Sequence, residues 1–274
     1  MNRIKNYDEY KEITGLYRKK SKYSNVFFLK AQVQNLIDEK KLYYIVQEEN
    51  LFLIEKETGF GRLFYYITNE EIHRKIPFSE DMVIEYVYKN EEDQKKTTEI
   101  ECMKQLGFVL GRSSFRMMLK SGEVFDMGLE PAEQDTVICF AGISDAEKID
   151  HLLRDNFDPL YAYLPDKSRL LEMINEREIL AAKVNGEMAG VLCLEFMHGN
   201  MQLWQIAIDR KYRGRGLGTW LVNEYHHIYK KLADTFLLWV DAENDAAQKM
   251  YRSAGYQKDG RFAKEYVLRI GCGK

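Results

Sequence analysis

The chain has 274 residues, enough for two domains of ordinary size. It is 45% hydrophobic and 30% charged, as globular proteins are, and its net charge of −3 argues against a nucleic-acid partner. No apolar run is long enough to span a bilayer, the polar start Met1–Glu9 lacks the apolar core of a signal peptide, and the four cysteines (Cys102, Cys139, Cys193, Cys272) form no Cys-x-x-Cys pair. The expectation is a cytoplasmic protein with reduced thiols and no membrane partner, either a monomer or a homodimer.

In chain order, helical periodicity covers residues 6–20 and 29–41, the second placing Leu29, Val33, Leu36 and Ile37 on one face. Strands follow at Leu42–Gln47, Leu51–Glu55, Arg62–Thr68 and Met82–Tyr88, with turns at Glu48-Glu49-Asn50 and Thr58-Gly59-Phe60-Gly61. A helix over 96–106 stops at Gly107, and a strand covers Ser114–Lys120. Residues 121–134 hold Gly122, Gly128 and Pro131 without periodicity and read as a connection. Beyond it, Asp135–Ala141 is strand-like, and Ser144 with Glu147 spells a capping box. A helix over 167–176 precedes strands at Ile179–Val184, Ala189–Phe196 and Met201–Ile208, turning at Asn185-Gly186 and His198-Gly199-Asn200. A helix from Leu217 to about Leu232 carries Trp220, Leu221, Tyr225, Ile228, Tyr229 and Leu232 as its apolar stripe. Thr235–Val240 is a buried strand, Asn244 caps a helix ending at Gly255, and strands near 256–262 and 264–270 finish the chain.

The halves can be laid over one another. Leu36–Leu42 matches Met173–Ile179, and Gln105-Leu106-Gly107-Phe108 matches Ser253-Ala254-Gly255-Tyr256. Between these points the second copy is eleven residues longer. The gain lies after the third strand: the first copy crosses through Asn69–Asp81 alone, the second spends Asp209–Asp234 on a glycine loop and a full helix. The expected division is a first domain at 1–125, a linker at 126–134 and a second domain at 135–274.

The glycine loop carries the chemistry. A strand ending at Ile208 runs through Arg213-Gly214-Arg215-Gly216-Leu217-Gly218-Thr219 straight into an amphipathic helix. A helix N-terminus has unpaired N–H groups and a positive dipole end, and glycines let backbone approach a phosphate, so this junction suits a pyrophosphate. Arg213 and Arg215 add cationic donors. A Walker A loop needs Gly-Lys-Ser/Thr, whereas Thr219-Trp220 follows Gly218; a dinucleotide fingerprint needs Gly-x-Gly-x-x-Gly, whereas the spacing here is Gly-x-Gly-x-Gly.

Arg213-x-x-Gly216-x-Gly218 after an antiparallel strand resembles the acyl-CoA loop of the GNAT (GCN5-related N-acetyltransferase) superfamily. Asn244, Tyr251, Gly255 and Tyr256 resemble its second motif, and the element order agrees over 135–274. The resemblance implies an α/β (α+β) chain of two tandem GNAT-like domains, each a mixed, mostly antiparallel sheet flanked by helices. It implies acetyl-CoA (acyl-CoA) as cosubstrate, held by Ile206, Ala207 and Ile208 on a splayed strand, by Arg213, Gly214, Arg215, Gly216, Leu217, Gly218 and Thr219 in the loop, and by Asn244. It implies an N-acetyltransferase in which the amine of a small molecule or peptide attacks the thioester directly and Tyr251 protonates the departing thiolate. The base is open: Glu195 leads, Asp241 and Glu243 are alternatives, and Gln205 would need a water relay. Asn244 has two readings, pantetheine ligand or helix cap alone, and Tyr161 and Tyr163 are candidate acceptor-pocket residues or plain packing.

His226 and His227 are adjacent on a helix and point about 100° apart, so no metal site is expected. Met103 matches Tyr251 and cannot act as an acid, so the first half reads as a degenerate copy that has lost acyl-CoA binding. Two other functions remain open, a non-catalytic acyl-CoA sensor and a tandem aminoacyl or peptidyl transferase; the intact loop and the absence of basic excess weigh against the latter.

Overall fold

A computed structural model describes residues 1–72, 76–89, 94–125, 128 and 135–270. Contacts divide the chain into two compact units, Met1–Ser113 with Ala263–Lys274, and Ser114–Phe262.

The first unit runs β1 (Asn2–Arg3), α1 (Tyr7–Arg18), β2 (Tyr23–Ser24), α2 (Lys30–Asp38), β3 (Leu42–Gln47), β4 (Asn50–Lys56), β5 (Phe60–Ile67), β6 (Asp81–Tyr88), α3 (Gln94–Gln105) and the start of β7 (Val109–Lys120). Asn6 caps α1 by accepting from Glu9 N at 2.9 Å, which satisfies one of the helix's orphan donors. Strands β1, β3, β4 and β5 pair antiparallel in that order. Then β6 joins β5 in parallel, but only over Phe60–Arg62 against Asp81–Val83. Beyond Arg62 the two strands part. One side of the sheet packs Phe52, Ile54, Leu63, Tyr65 and Ile84 against Met103 and Phe108. The other packs Leu51, Leu53 and Tyr66 against α1 and α2 through Tyr10, Val33 and Ile37. Leu29, expected on that helical face, is exposed because α2 starts one residue later.

The second unit runs from the rest of β7 through β8 (Thr136–Phe140), α4 (Ala146–Asn156), α5 (Lys167–Asn175), β9 (Ile179–Val184), β10 (Glu187–Met197), β11 (Asn200–Ile208), α6 (Leu217–Tyr229), β12 (Thr235–Asp241), α7 (Asp245–Ser253) and into β13 (Gln257–Leu268). Its strand order is β8-β9-β10-β11-β12-β7, antiparallel except for β11 and β12. Helices α6 and α7 share one core with Leu192, Leu203, Phe236 and Leu238, while α4 and α5 pack the opposite side against Val191, Cys193 and Ala207.

The repeat is visible in backbone detail. Lys40 and Arg177 both turn the chain with positive φ (61° and 59°), and Lys41 N→Leu36 O and Glu178 N→Met173 O are both 2.8 Å. Gly107 (φ 96°) and Gly255 (φ 92°) end α3 and α7 alike, with Phe108 N bonded to Met103 O and Tyr256 N to Tyr251 O. The two sheets repeat the same sense, antiparallel strands followed by one parallel pair. Each half is therefore a mixed, mostly antiparallel sheet flanked by helices, as the fold reading requires.

Several local readings change. The helix expected from Ser144 begins at Ala146 after a 3-10 turn over Ile143–Asp145, and Asp145, not Ser144, bonds back to Gly142 N at 3.0 Å. The second half of that carboxylate's work is a 2.9 Å ion pair with Lys183, which the capping box would forgo. Phe60 and Gly61, read as turn, belong to β5. The two final strands are one, β13, and α6 stops at Tyr229, leaving Ile228 and Leu232 exposed while Leu217, Leu221, Val222, Tyr225 and His226 are buried. The compact units also divide β7 and β13, where the sequence division ran between them. Most of 126–134, read as linker, lies outside the described residues, as does Cys272.

Candidate active site

The site is built on β11. This strand pairs with β12 only from Asn200 to Leu203, against Thr235–Leu238. On its other side it follows β10 to Ile208, with a bulge: Leu194 faces Leu203, but Cys193 faces Gln205, so Trp204 is the inserted residue. The bulge comes just where β11 leaves β12, and it turns the strand away. Asp209 N donates to Ala189 O of the β10 end at 2.9 Å. Hydrogen-bond direction alternates along an antiparallel strand. Ala207 therefore directs its backbone to β10, and Ile206 and Ile208 direct theirs to the open edge. Of the three residues expected there, two present backbone groups. Ala207 contributes its buried methyl to the α4–α5 core.

From Ile208 the chain makes a 3-10 turn, Arg210–Tyr212, held by Asp209 accepting from Lys211 N. Gly214 and Gly216 both have φ 75°, a region L side chains avoid, and a Cβ on either would meet nothing within 4 Å. Both glycines thus answer to backbone conformation and leave the loop open to a ligand. Gly216 caps α6 without any side-chain bond, and the first helical bond is Trp220 N→Gly216 O. The N–H groups of Leu217, Gly218 and Thr219 carry no hydrogen bond among the described residues. Here a partial positive charge faces outward. Gly218 is tight instead: a Cβ would lie 3.2 Å from Met250 Sδ and 3.7 Å from Ile208 Cγ1, so glycine lets α6 approach β11 and α7.

Arg213 is not free for an anion alone. Its Nε donates to Ile208 O at 3.1 Å and its Nη2 to Asn156 Oδ1 at 2.5 Å, tying the loop to both the splayed strand and the end of α4. Arg215 lies over the Tyr212 ring, 5.7 Å from its centroid. Asn156 was not legible as a partner of the loop, since 57 residues separate it from Arg213.

Tyr251 sits on α7 with 4% of its surface exposed, in the same core as Leu203, the core against which Ile206 and Ile208 also pack. Burial raises its phenol well above the ordinary value, because an ionised phenolate loses hydration there. It stays protonated at every pH where enzymes work. Its ring meets Tyr256 edge-on at 5.8 Å, and Tyr256 Oη lies 2.9 Å from His226 Nε2. Asn244 caps α7 by accepting from Ala247 N at 3.0 Å and is exposed, so its bland role is filled.

Across the sheet, on the side of α4 and α5, Glu195 accepts a 2.8 Å bond from Trp204 Nε1. Trp204 was missed from the sequence because a bulge leaves no composition signal. Gln205, 7% exposed, donates from Nε2 to Tyr163 O at 3.0 Å, so it anchors the α4–α5 loop. Tyr163 itself is 48% exposed. Asp241 accepts from Glu243 N at 2.8 Å and shapes the entry to α7, and Glu243 is exposed. His226 is buried and His227 exposed. Among the described residues no three His, Cys, Asp or Glu side chains gather as they would round a metal ion, and no helix is long and apolar enough to cross a membrane.

Residues 146–256 match the model of the Acetyltransferase (GNAT) family. The second unit carries a GNAT-family acetyltransferase domain. Among solved structures, the chain is similar to a GCN5-related N-acetyltransferase from Sphaerobacter thermophilus, with TM-score 0.56 and 14% identity over 88% of this chain and 86% of that one. A GNAT-family acetyltransferase from Colwellia psychrerythraea gives TM-score 0.55 at 10% identity over 98% and 99%. A tandem GNAT protein from the clavulanic acid biosynthesis pathway gives 0.54 at 12% over 82% and 80%. At these identities the likeness is one of fold, and it extends over both halves. No curated protein matches the sequence.

The buried His226 of the GNAT domain makes a pH prediction. Burial lowers its pKa from 6.5 to about 4, so the folded state binds fewer protons than the unfolded state between these values. Stability is then full above about pH 6.5 and falls as pH drops toward 4, by at most about 3 kcal/mol from this residue. Chemical denaturation of wild type and His226→Gln at pH 7 and pH 5 checks it: wild type loses clearly more stability than the variant between the two. Equal losses would contradict a buried neutral imidazole.

Proposed function

We propose that the GNAT domain transfers an acetyl group from acetyl-CoA to the amine of a small molecule or peptide by direct attack. The observation that carries this reading is the conjunction of an open backbone edge at Ile206 and Ile208 with the uncapped start of α6. A pantetheine arm is an amide chain and needs backbone partners; a pyrophosphate needs N–H donors and positive charge. Both sets of groups meet where β11 ends. Gly214, Gly216, Leu217, Gly218 and Thr219 hold the pyrophosphate through backbone, Arg215 adds charge, and Arg213 fixes the loop's approach to Ile208.

The acceptor enters from the side of Glu195, Trp204 and Tyr163. It must lose a proton to attack, and Glu195, oriented by the Trp204 indole, takes that proton through its second oxygen. The tetrahedral oxyanion is met by the splayed strand's N–H groups. Collapse expels the CoA thiolate, and Tyr251 Oη donates its proton to the sulfur. Asn244, already engaged as a cap, offers its amide nitrogen to the pantetheine chain.

Thiol release from acetyl-CoA over a panel of amines tests the reading; no turnover with any amine alongside saturable acetyl-CoA binding would favour a sensor instead. For the base, Glu195→Gln is expected to lower kcat by about 10²-fold or more. If the variant's kcat stays within about threefold of wild type, Glu195 is not the base.

A further inference from the structure

The first unit has the same splayed strand, but its open edge is filled. At Tyr66 strand β5 has two neighbours: β4 through Leu51, and β2, where Ser24 faces Tyr66 and Tyr23 faces Ile67. Since β4 holds one edge, β2 holds the edge that β6 leaves beyond Arg62. Lys22 N donates to Ile67 O at 2.7 Å. Asn25 does the rest with its side chain: Nδ2 donates to Leu63 O at 3.1 Å, and Oδ1 accepts from Tyr65 N at 2.8 Å. Asn25 is 8% exposed, and its amide copies the donor and acceptor of one more strand residue.

The equivalent positions in the second unit are Ile206 and Ile208. Aligning the first parallel pairs of the two sheets sets Leu63 against Leu203, and setting aside the bulge residue places Tyr65 against Ile206 and Ile67 against Ile208. The inward sides agree, since Leu63, Tyr65 and Ile67 lie in the α3 core, as Leu203, Ile206 and Ile208 do in the α6–α7 core. The filling segment follows α1, just as the Tyr163 loop follows α4. In the second unit that loop touches β11 through Gln205. The inner side of the first unit's strand is closed as well: Tyr65 Oη donates to Glu99, which is 3% exposed, at 2.5 Å and lies 2.9 Å from Tyr86 Oη.

We propose that the first unit's cleft is a strand-binding site occupied in cis by residues 22–25, an internal ligand standing where the second unit takes acetyl-CoA. This rests on the reading of β11 as the acetyl-CoA edge. It makes the cleft closed by construction, beyond the loss of a glycine loop: the backbone groups are present and already bonded, and a thioester arm would have to displace a strand attached to its own chain. One consequence is a single acetyl-CoA per chain.

Hydrogen exchange on the full chain, with and without acetyl-CoA, tests it. Amides over 63–67 are expected to be protected without ligand and unchanged by it, while those over 206–208 gain protection when acetyl-CoA is added. Asn25→Ala is expected to speed exchange at the Tyr65 amide about tenfold or more, with turnover unchanged. Added protection over 63–67 on acetyl-CoA addition, two acetyl-CoA per chain by titration, or unaltered Tyr65 exchange in Asn25→Ala would each overturn the proposal. Failure of the acyltransferase reading looks different: 206–208 stays unprotected and no acetyl-CoA binds, whatever Asn25→Ala does to Tyr65.

Discussion

Tyr251→Phe is expected to lower kcat about 10²–10³-fold while the KM for acetyl-CoA changes little. The substitution removes one oxygen and leaves the ring, so its place in the α6–α7 core and its contact with Tyr256 stay. What is lost is the only proton the phenol can give. General acids contribute about 10²–10⁴ in rate, and a thiolate is a fair leaving group, which places the effect toward the lower part of that range. The phenol's raised pKa carries a further consequence: no fall in rate on the basic side should trace to Tyr251 within the range the fold tolerates. Steady-state kinetics of the two proteins with the best amine of the panel decides the matter. A variant within threefold of wild type would leave Tyr251 as a wall of the pocket and send the search for the acid elsewhere.

How much of this could be read from residues alone differs by feature, for physical reasons. The glycine loop was legible because positive φ at Gly214 and Gly216 and the close contact at Gly218 admit no other residue cheaply. Asn244 was legible as a cap because its short amide reaches the N–H two or three residues on. The repeat showed through Lys40 and Arg177, and through Gly107 and Gly255, where the same turn recurs. The bulge at Trp204 was not, since one inserted residue hardly disturbs an alternating pattern over a short strand, and it decides which backbone groups face the opening. Strand β2 was invisible for another reason: two residues, Tyr23 and Ser24, gain their conformation from β5 more than forty positions away. Gln205 was read as a place for a base, yet its amide holds a loop carbonyl, a role only the folded α4–α5 connection defines. Ser144 lost the capping place to Asp145 because only a carboxylate can bond Gly142 N and pair with Lys183 at once.

The loop makes the second large prediction. Gly216→Val is expected to weaken acetyl-CoA binding tenfold or more. A Cβ there meets nothing within 4 Å, so the effect does not come from a clash. It comes from φ 75°, which a β-branched residue adopts only at a cost of about 1–3 kcal/mol. The chain relieves that strain by rotating the peptide before Leu217, and the N–H groups of Leu217, Gly218 and Thr219 then no longer converge on one anion. Gly260→Val is the control. Gly260 has φ 81° and equally open surroundings, but it belongs to β13 and not to the loop. The same strain there should lower stability by a comparable amount and leave acetyl-CoA affinity alone. Calorimetric titration and thermal denaturation of both variants separate the two effects. Equal affinity losses in both would mean that backbone strain acts through the fold in general; a loss in Gly216→Val alone assigns the anion site to the start of α6.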